Sequence, residues 1–280
     1  SPSNIASLDF AIDSTGNLYV SYFVNNTTGE VLKYDGSSWS SLGSISTTYG
    51  RHSLTVSPSG IVYLGTTSGI NVVVRKYTGG AWVNVGSPFV HNTSSWGSYV
   101  GTLILDATGT PYITFSSDYD VIITSYLYKF NGSTWNIVGN PWTGNGTGLW
   151  PAIDRNNKIH LAVRSATTLR VFHQEGNPWV QTGSIITNAA IYQYTFARNS
   201  QGVLYATYIN TAGNFRLNVK AYQTGLPLTS GPDTVCVGSN ITLANTAANG
   251  VWLSSDTAIA KVNQSGVVTG ASTGEATIFY

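Results

Sequence analysis

The sequence predicts an all-β protein, with a β-propeller followed by a small β-sandwich, and two repeated motifs lead to this expectation. A turn that ends in tryptophan, with a glycine four residues later, occurs four times, and the tryptophans lie 43, 53 and 44 residues apart. A second turn, in which tyrosine or histidine follows three residues after glycine or asparagine, occurs five times at spacings of 44, 49, 48 and 45. Short strand-like runs and tight turns with such a period are typical of propeller blades.

The two motifs mark fixed points of each repeat. The tryptophan motif covers 33–43, 76–86, 129–139 and 173–183, and its tryptophans are Trp39, Trp82, Trp135 and Trp179. The other motif pairs Gly16 with Tyr19, Gly60 with Tyr63, Gly109 with Tyr112, Asn157 with His160, and Gly202 with Tyr205. Asparagine can replace glycine because it also adopts the left-handed conformation that such turns often need. We expect these aromatic residues to recur because each blade needs the same packing, and not because they contact a ligand.

Each repeat contains runs for four strands. In the first repeat they are 8–12, 18–23, 30–34 and 38–42, rich in β-branched and aromatic residues. No stretch has helical periodicity over more than about two turns, so almost no helix is predicted. The fifth repeat has no tryptophan motif, which leaves it without a fourth strand. Nothing before residue 8 resembles the strand that would seal the ring, so we expect residues upstream of Ser1 to supply it, with or without further blades.

Composition restricts the classes of function. Of the 280 residues only 9% are charged and the formal net charge is +1, which argues against nucleic-acid binding. The longest apolar run is about five residues, too short for membrane insertion as a helix. The 42% hydrophobic content is enough for a core. Low charge with many Ser, Thr, Asn and Gly residues suits an extracellular β protein. The chain has no methionine, so we also expect a preceding signal peptide or longer segment.

The sequence changes character after a propeller over 1–225. Residues 226–232 are predicted to be a linker, and 233–280 form a second domain. The runs 235–243, 251–256, 259–262, 265–270 and 274–278, with their glycines, resemble a bacterial immunoglobulin-like domain of group 2. Joined to Asp-Gly-Ser-Ser-Trp-type repeats, this domain is similar to parts of large secreted or cell-surface proteins of the Bacteroidota. The resemblance implies a stalk-like sandwich, truncated at its C-terminus, with further immunoglobulin-like modules or a secretion sorting domain downstream.

Cys236 is the single cysteine of the chain. It could be a buried free thiol that acts as a small hydrophobic residue. It could instead form a disulfide with a partner beyond Tyr280, as suits a secreted chain. In the family form with Val-Cys-Val-Gly, found here at 235–238, a second cysteine commonly follows the last strand, so the resemblance implies the disulfide.

Turn lengths distinguish two faces of the propeller. The connections between strands one and two, and between strands three and four, are tight and share one face. The long connections, from strand two to three and from blade to blade, share the opposite face, where binding residues are expected. The blade crossings carry aromatic rings, amides and an arginine, which suit sugar recognition. The predicted ligand-binding residues are Tyr49, Arg51, Trp96, Tyr99, Trp142, Trp150, Tyr192 and Tyr194. The alternative is that the rings fill the space between blades.

Signals for catalysis are weak. A glycosidase needs two carboxylates that face one cleft. Most of the twelve acidic residues lie at tight turns or in the second domain. Four remain for the long-loop face, namely Asp9, Glu30, Asp118 and Asp120. The sequence has no nucleophile elbow, calcium loop or phosphate-binding loop. No catalytic residue, metal site or cofactor is predicted, and we expect the protein not to be an enzyme.

The prediction for function is a secreted or cell-surface adhesion or binding module. Its long-loop face would bind a glycan or a protein, while the second domain would act as a stalk. One alternative is a passive structural segment of a large surface filament. Another is a polysaccharide-active enzyme on a propeller scaffold.

Overall fold

The computed structural model describes residues 5–24, 27–48, 51–89, 98–119, 122–139, 142–143, 148–154, 156–165, 168–174, 178–187, 191–199, 203–210, 217–222, 230–245 and 250–280. These ranges contain twenty-five strands and, as predicted, no helix. Within them, no helical segment long and apolar enough to cross a membrane occurs. The chain forms two compact units, over 1–222 and 223–280.

The first unit consists of five antiparallel sheets, I to V, each with its strands in sequence order. Sheet I contains β1 Ile5–Ile12, β2 Leu18–Val24, β3 Thr28–Tyr34 and β4 Trp39–Ser46. Sheet II contains β5 Ser53–Val56, β6 Val62–Ser68, β7 Asn71–Thr78 and β8 Ala81–Asn84. Sheet III contains β9 Ser98–Leu105, β10 Pro111–Tyr119, β11 Ile122–Phe130 and β12 Trp135–Ile137, with β13 Trp142–Thr143 also paired to β11. Sheet IV contains β14 Gly148–Ile153, β15 Ile159–Arg164, β16 Leu169–Gln174 and β17 Trp179–Thr187. Sheet V contains β18 Ile191–Arg198, β19 Leu204–Asn210 and β20 Leu217–Tyr222, and among the described residues it has the three strands predicted.

The turns between first and second strands have the predicted left-handed backbone. Gly16, Gly60 and Gly109 have φ values of 91°, 81° and 82°. Asn157 has a φ of 61°, and it is the one non-glycine residue with positive φ in the described part of the chain. The turn at Gly202 lies outside the described residues. Asparagine therefore takes the glycine position for the conformational reason inferred from the sequence.

An acidic side chain caps most of these turns. In sheet I, the Oδ1 atom of Asp13 accepts hydrogen bonds from the backbone N–H groups of Thr15 at 2.9 Å and Asn17 at 3.0 Å. Asp106 and Asp154 accept equivalent bonds in sheets III and IV. Burial disfavours the charged form of Asp13, but hydrogen bonds from Asn17 and Thr15 outweigh it and hold the pKa well below its usual range. These carboxylates thus stabilise the turns.

Each successive pair of sheets shares its own hydrophobic core. Buried side chains form four clusters, one at each interface from I/II to IV/V. Each cluster contains buried side chains of both sheets, such as Phe23 and Leu64, Val72 and Ile113, Tyr112 and Leu161, and Leu169 and Leu204. The first strands of all five sheets line a common channel of about 440 Å³. Sheets that pack face to face around a channel form the blades of a propeller.

The repeated tryptophans connect neighbouring blades. The Trp82 indole N–H donates to the Leu42 carbonyl at 2.9 Å, and the Trp135 indole N–H donates to the Val85 carbonyl at 2.7 Å. A Cβ atom on Gly86 would lie 3.3 Å from the Trp135 Nε1 atom, so the motif glycine leaves room for the tryptophan of the next blade. Trp39 differs, because it is 51% exposed whereas Trp135 is 9% exposed. The prediction that the repeated tryptophans all pack alike is wrong for Trp39, since no described sheet precedes sheet I.

The same difference appears on the first strand of each blade. The position six residues before the glycine or asparagine of the turn is equivalent in the five repeats. It is occupied by Phe10, Leu54, Leu103, Pro151 and Phe196. Phe196 is 4% exposed, and Leu54, Leu103 and Pro151 are also buried, but Phe10 is 61% exposed. Sheet V likewise exposes Leu217 and Val219 on β20. Among the described residues no core cluster joins sheets V and I. It remains a prediction that residues upstream of Ser1 complete the ring.

The second unit contains two small antiparallel sheets. Their strands are β21 Asn240–Thr242, β22 Leu253–Ser254, β23 Ala260–Val262, β24 Val267–Gly270 and β25 Ile278–Phe279. The sheet orders are β21-β24-β23 and β22-β25. Trp252, Ala260 and Val268 are buried, and the Trp252 ring lies 4.7 Å from that of Tyr280. Cys236 is exposed and unbonded in the described chain, so the buried-thiol alternative is wrong, and the disulfide beyond Tyr280 stays a prediction.

Candidate functional site

A cavity of about 650 Å³ lies on the long-loop side of the first unit, at the ends of strands in sheets IV and V. Its lining includes Arg51, Trp150, Arg164, Tyr194, Tyr208 and Leu217, together with two threonines and an isoleucine. Arg164 ends β15, and Leu217 begins β20, so the cavity opens where the two-to-three connections of both sheets start or finish. Its size is within the usual range for small-molecule sites.

Strand pairing positions the polar groups of the cavity. Gly148 on β14 lies opposite Arg164 on β15. A Cβ atom on Gly148 would lie 2.4 Å from the Tyr194 hydroxyl oxygen, so only glycine admits this hydroxyl beside the strand. Burial raises the pKa of Tyr194, while the positive charge of Arg164 opposes that shift. The hydroxyl therefore stays protonated at neutral pH and is available as a hydrogen-bond donor.

Aromatic rings form the rigid part of the wall. Trp150 and Tyr194 meet edge to face, with ring centroids 5.4 Å apart. Both pack against the core cluster between sheets IV and V, which includes Tyr208. Rings fixed by a core lose little conformational freedom when a ligand packs on them, so this wall is suited to binding.

The predicted site residues fall into three groups. Arg51, Trp150 and Tyr194 line the cavity together. Trp142 lies apart from them, because its ring packs 4.6 Å from that of Phe172 in the interface between sheets III and IV. Tyr99 lies on β9 and Tyr192 on β18, but their side chains are outside the described part, as are Tyr49 and Trp96 entirely.

Sequence reasoning missed Arg164 and Tyr208. Both lie at or near the end of a second strand, where the long two-to-three connection begins. The predicted ligand-binding residues lie in the blade crossings, whereas these two residues adjoin the long two-to-three connections on the same face. Arg164, at the end of the second strand of the fourth repeat, was the signal in the sequence that could have indicated this part of the cavity.

Acidic residues are absent from the cavity lining among the described residues. Asp9 accepts a hydrogen bond from the Leu54 backbone N–H at 2.7 Å, and so links sheets I and II. Glu30 is bonded to the hydroxyl groups of Tyr22 and Ser41. The side chain of Asp118 and the whole of Asp120 lie outside the described part. Asp9 and Glu30 therefore serve contacts within the protein.

Sheet IV contains a buried ionisable pair on the opposite side, at the capped turn. The His160 Nε2 atom lies 3.0 Å from the Asp154 Oδ2 atom, and both side chains are buried. In sheet I the equivalent partner of the capping aspartate is a tyrosine, since the Tyr19 hydroxyl donates to Asp13 at 3.0 Å. Burial lowers the pKa of His160 from 6.5, and this effect exceeds the opposing effect of the Asp154 carboxylate. The charges of His173 and Lys158 lower it further.

This pair predicts acid-dependent stability. The folded state binds the His160 proton more weakly than the unfolded state does. The contribution of His160 to the free energy of unfolding is therefore complete above pH 6.5 and is lost as the pH falls below that value. We expect the melting temperature of the wild-type protein to fall between about pH 6.5 and 5. The variant His160→Tyr introduces the residue type that sheet I has at the equivalent position. In this variant the decrease in melting temperature due to His160 should be absent. Thermal melts of both proteins from pH 8 to 5 measure the difference, and identical profiles would contradict the assignment.

Comparison with known proteins identifies the fold. No protein-family model matches the chain, and no curated protein does either. Among solved structures, the SapL1 lectin in complex with α-methyl fucoside matches with a TM-score of 0.56 and 14% identity, over 77% of this chain and 76% of that one. A protein of unknown function from Dyadobacter fermentans matches with a TM-score of 0.55 and 11% identity, over 79% of both chains. The six-bladed β-propeller lectin of Aleuria aurantia matches with a TM-score of 0.50 and 15% identity, over 88% of both chains. At these identities the likeness shows the β-propeller fold.

Proposed function

We propose that this protein is a non-enzymatic carbohydrate-binding module that acts outside the cell, secreted or at the cell surface. The cavity between sheets IV and V is the glycan site. The observation that carries the proposal is the combination in one cavity of fixed aromatic rings, Trp150 and Tyr194, with the charged donors Arg51 and Arg164. Aromatic faces pack on the C–H groups of a sugar ring, while guanidinium and hydroxyl donors bind its oxygens.

The likeness to lectins supports this proposal at the level of fold. The matched lectins include SapL1, with α-methyl fucoside bound, and the Aleuria aurantia lectin, which recognises fucose. Absence of Asp and Glu from the described cavity lining favours binding over glycoside hydrolysis, which needs two carboxylates.

The second unit is proposed to be an immunoglobulin-like stalk that displays the propeller on an adhesion protein. The series of short strands that ends in β25 supports this role. Cys236, exposed on this unit, would pair with a cysteine beyond Tyr280. Further immunoglobulin-like modules or a sorting domain would follow downstream.

A glycan array probed with the 280-residue chain tests the proposed function. We expect binding to a defined set of glycans, and a loss of about tenfold or more in affinity for Trp150→Leu, which keeps an apolar side chain but removes the flat ring. The matched control is Trp39→Leu, which changes an exposed tryptophan outside the cavity and should leave binding unchanged.

A second variant provides an independent test in case Trp150→Leu does not fold. Thr195 lines the cavity and is exposed, so Thr195→Tyr should keep the fold while its larger side chain blocks the site. Melting curves establish that each variant is folded at the assay temperature. Failure of the wild-type chain to bind any glycan, or full binding by both cavity variants, would refute the proposal.

A further inference from the structure

We infer that the cavity between sheets IV and V selects sugars that carry an acetamido group, an inference that rests on the proposed function and narrows it to a class of ligand. The wall of the cavity contains three neutral hydrogen-bonding groups, the hydroxyls of Tyr194 and Tyr208 and the indole N–H of Trp150. In the part of the chain that the structure describes, none of the three forms a hydrogen bond within the protein. A ligand is therefore left to supply their partners.

Comparable aromatic groups in other sheets are paired inside the protein. The hydroxyls of Tyr19 and Tyr22 donate to carboxylates, at 3.0 and 2.8 Å. The indole N–H of Trp135 donates to a backbone carbonyl at 2.7 Å. A partly buried polar group that lacks such a bond favours a ligand that can form it, and discriminates against a ligand of similar shape that cannot.

The described lining offers more donors than acceptors. Its polar side chains are those of arginine, tryptophan, tyrosine and threonine, and none of these is an acceptor only. A sugar hydroxyl that accepts a hydrogen bond from this wall still has its own proton to place. An amide carbonyl has no proton and can accept two hydrogen bonds. The wall therefore favours an acetamido group over a hydroxyl group at the same position of a sugar ring.

The aromatic rings suit the methyl part of the same group. The planes of Trp150 and Tyr194 are inclined at 66°, with ring centroids 5.4 Å apart, so the two rings form a corner of apolar surface. The indole N–H and the phenolic hydroxyl lie on the edges of these rings. An acetamido methyl that packs in the corner can place its carbonyl at one of the two donors.

Gly148 positions the Tyr194 hydroxyl. A Cβ atom at this residue would clash with the hydroxyl oxygen, so the hydroxyl fits beside β14 only because the side chain is absent. Burial raises the pKa of Tyr194, and the hydroxyl keeps its proton and can donate at neutral pH. Tyr208 lies directly opposite Tyr194 on β19, so the two side chains share one face of sheet V.

The arginines do not redirect this preference to acidic sugars. Arg51 and Arg164 line the cavity, but each has further interactions within the protein, so their charges are not free for a ligand. The formal net charge of the chain is only +1, which gives no general attraction for anions. Selectivity then depends on neutral donors, and it should change little with added salt.

Calorimetric titration of the 280-residue chain with matched ligand pairs tests the inference. One pair is triacetylchitotriose and cellotriose, which differ only in acetamido or hydroxyl groups at carbon 2. The other pair is the methyl α-glycosides of N-acetylgalactosamine and galactose. The two pairs distinguish the gluco from the galacto series as the source of the acetamido group. We expect at least one acetamido ligand to bind about tenfold or more tightly than its hydroxyl partner.

Variants assign the preference to the cavity. Tyr194→Phe keeps the ring but removes the hydroxyl, and should reduce the ratio of acetamido to hydroxyl affinity by about tenfold. Gly148→Ala, which displaces the hydroxyl, should reduce the ratio in the wild-type chain but not further in Tyr194→Phe. The control is Tyr205→Phe, which removes a hydroxyl from β19 outside the described lining and should leave the ratio unchanged.

The possible results separate the inference from the proposed function. Equal or tighter binding of the hydroxyl member of both pairs would overturn the acetamido inference and leave a carbohydrate-binding module intact. An acetamido preference of undiminished size in Tyr194→Phe would overturn the role given to the Tyr194 hydroxyl. Lack of binding to any glycan on the array would refute the proposed function itself, and the inference with it.

Discussion

Replacement of Trp135 by alanine is expected to lower the free energy of unfolding of the first unit by about 3–5 kcal/mol. The side chain is buried between sheets II and III, where its ring stacks on Phe89 with centroids 5.3 Å apart. Its indole N–H also donates to the Val85 carbonyl, which would be left without this partner. Urea denaturation followed by circular dichroism measures the loss.

Trp39→Ala is the matched control for this change. Trp39 occupies the same position of the repeat motif, and its ring contacts Tyr34 within its own sheet at 5.1 Å. Because half of the side chain is already exposed, we expect a loss of about 1 kcal/mol or less. Similar losses for the two variants would contradict the view that the tryptophan acts by joining one blade to the preceding one.

Phe196→Ala should have an effect of similar size, about 3–5 kcal/mol. Phe196 on β18 is buried in the core cluster between sheets IV and V, which also contains Leu204. Removal of the ring would leave a cavity that the surrounding strands cannot close. The free energy of unfolding from urea titrations again measures the effect.

Phe10→Ala tests the same residue type at the same position of another repeat. Both residues lie on the first strand of a blade, so the change in strand propensity is equal and only the burial differs. We expect Phe10→Ala to cost about 1 kcal/mol or less. A loss as large as that of Phe196→Ala would show that another surface covers sheet I in solution, and sedimentation would reveal whether it is a second copy of the chain.

Local structure in this protein follows from short-range sequence signals. The five turn motifs predicted strands on both sides because their chemistry acts within a few residues. Asn157 adopts the left-handed backbone because asparagine tolerates this conformation better than most residues. Asp13 caps its turn through hydrogen bonds from residues two and four positions later. The missing tryptophan motif of the fifth repeat predicted the three strands that the described part of sheet V contains.

The candidate site was only partly predictable. Arg51, Trp150 and Tyr194 were recognised from their place in the blade crossings, and they meet at one cavity. Trp142 has the same kind of place in the sequence, yet it packs on Phe172 between two blades. Whether an aromatic ring in a crossing reaches a cavity or fills an interface depends on the neighbouring sheet, which the local sequence does not specify.

The sequence by itself determined the repeat, the strands, the turns and the face that carries long loops, since each depends on the conformational preferences of adjacent residues. Tertiary structure alone decided which members of equivalent sets are buried. Trp39 and Trp135 lie in nearly the same motif, but only Trp135 has a preceding sheet to pack on. It also brought Arg51 and Arg164, more than a hundred residues apart, to one cavity. Burial and charge proximity arise from contacts between distant segments, and therefore appear only when the sheets are assembled.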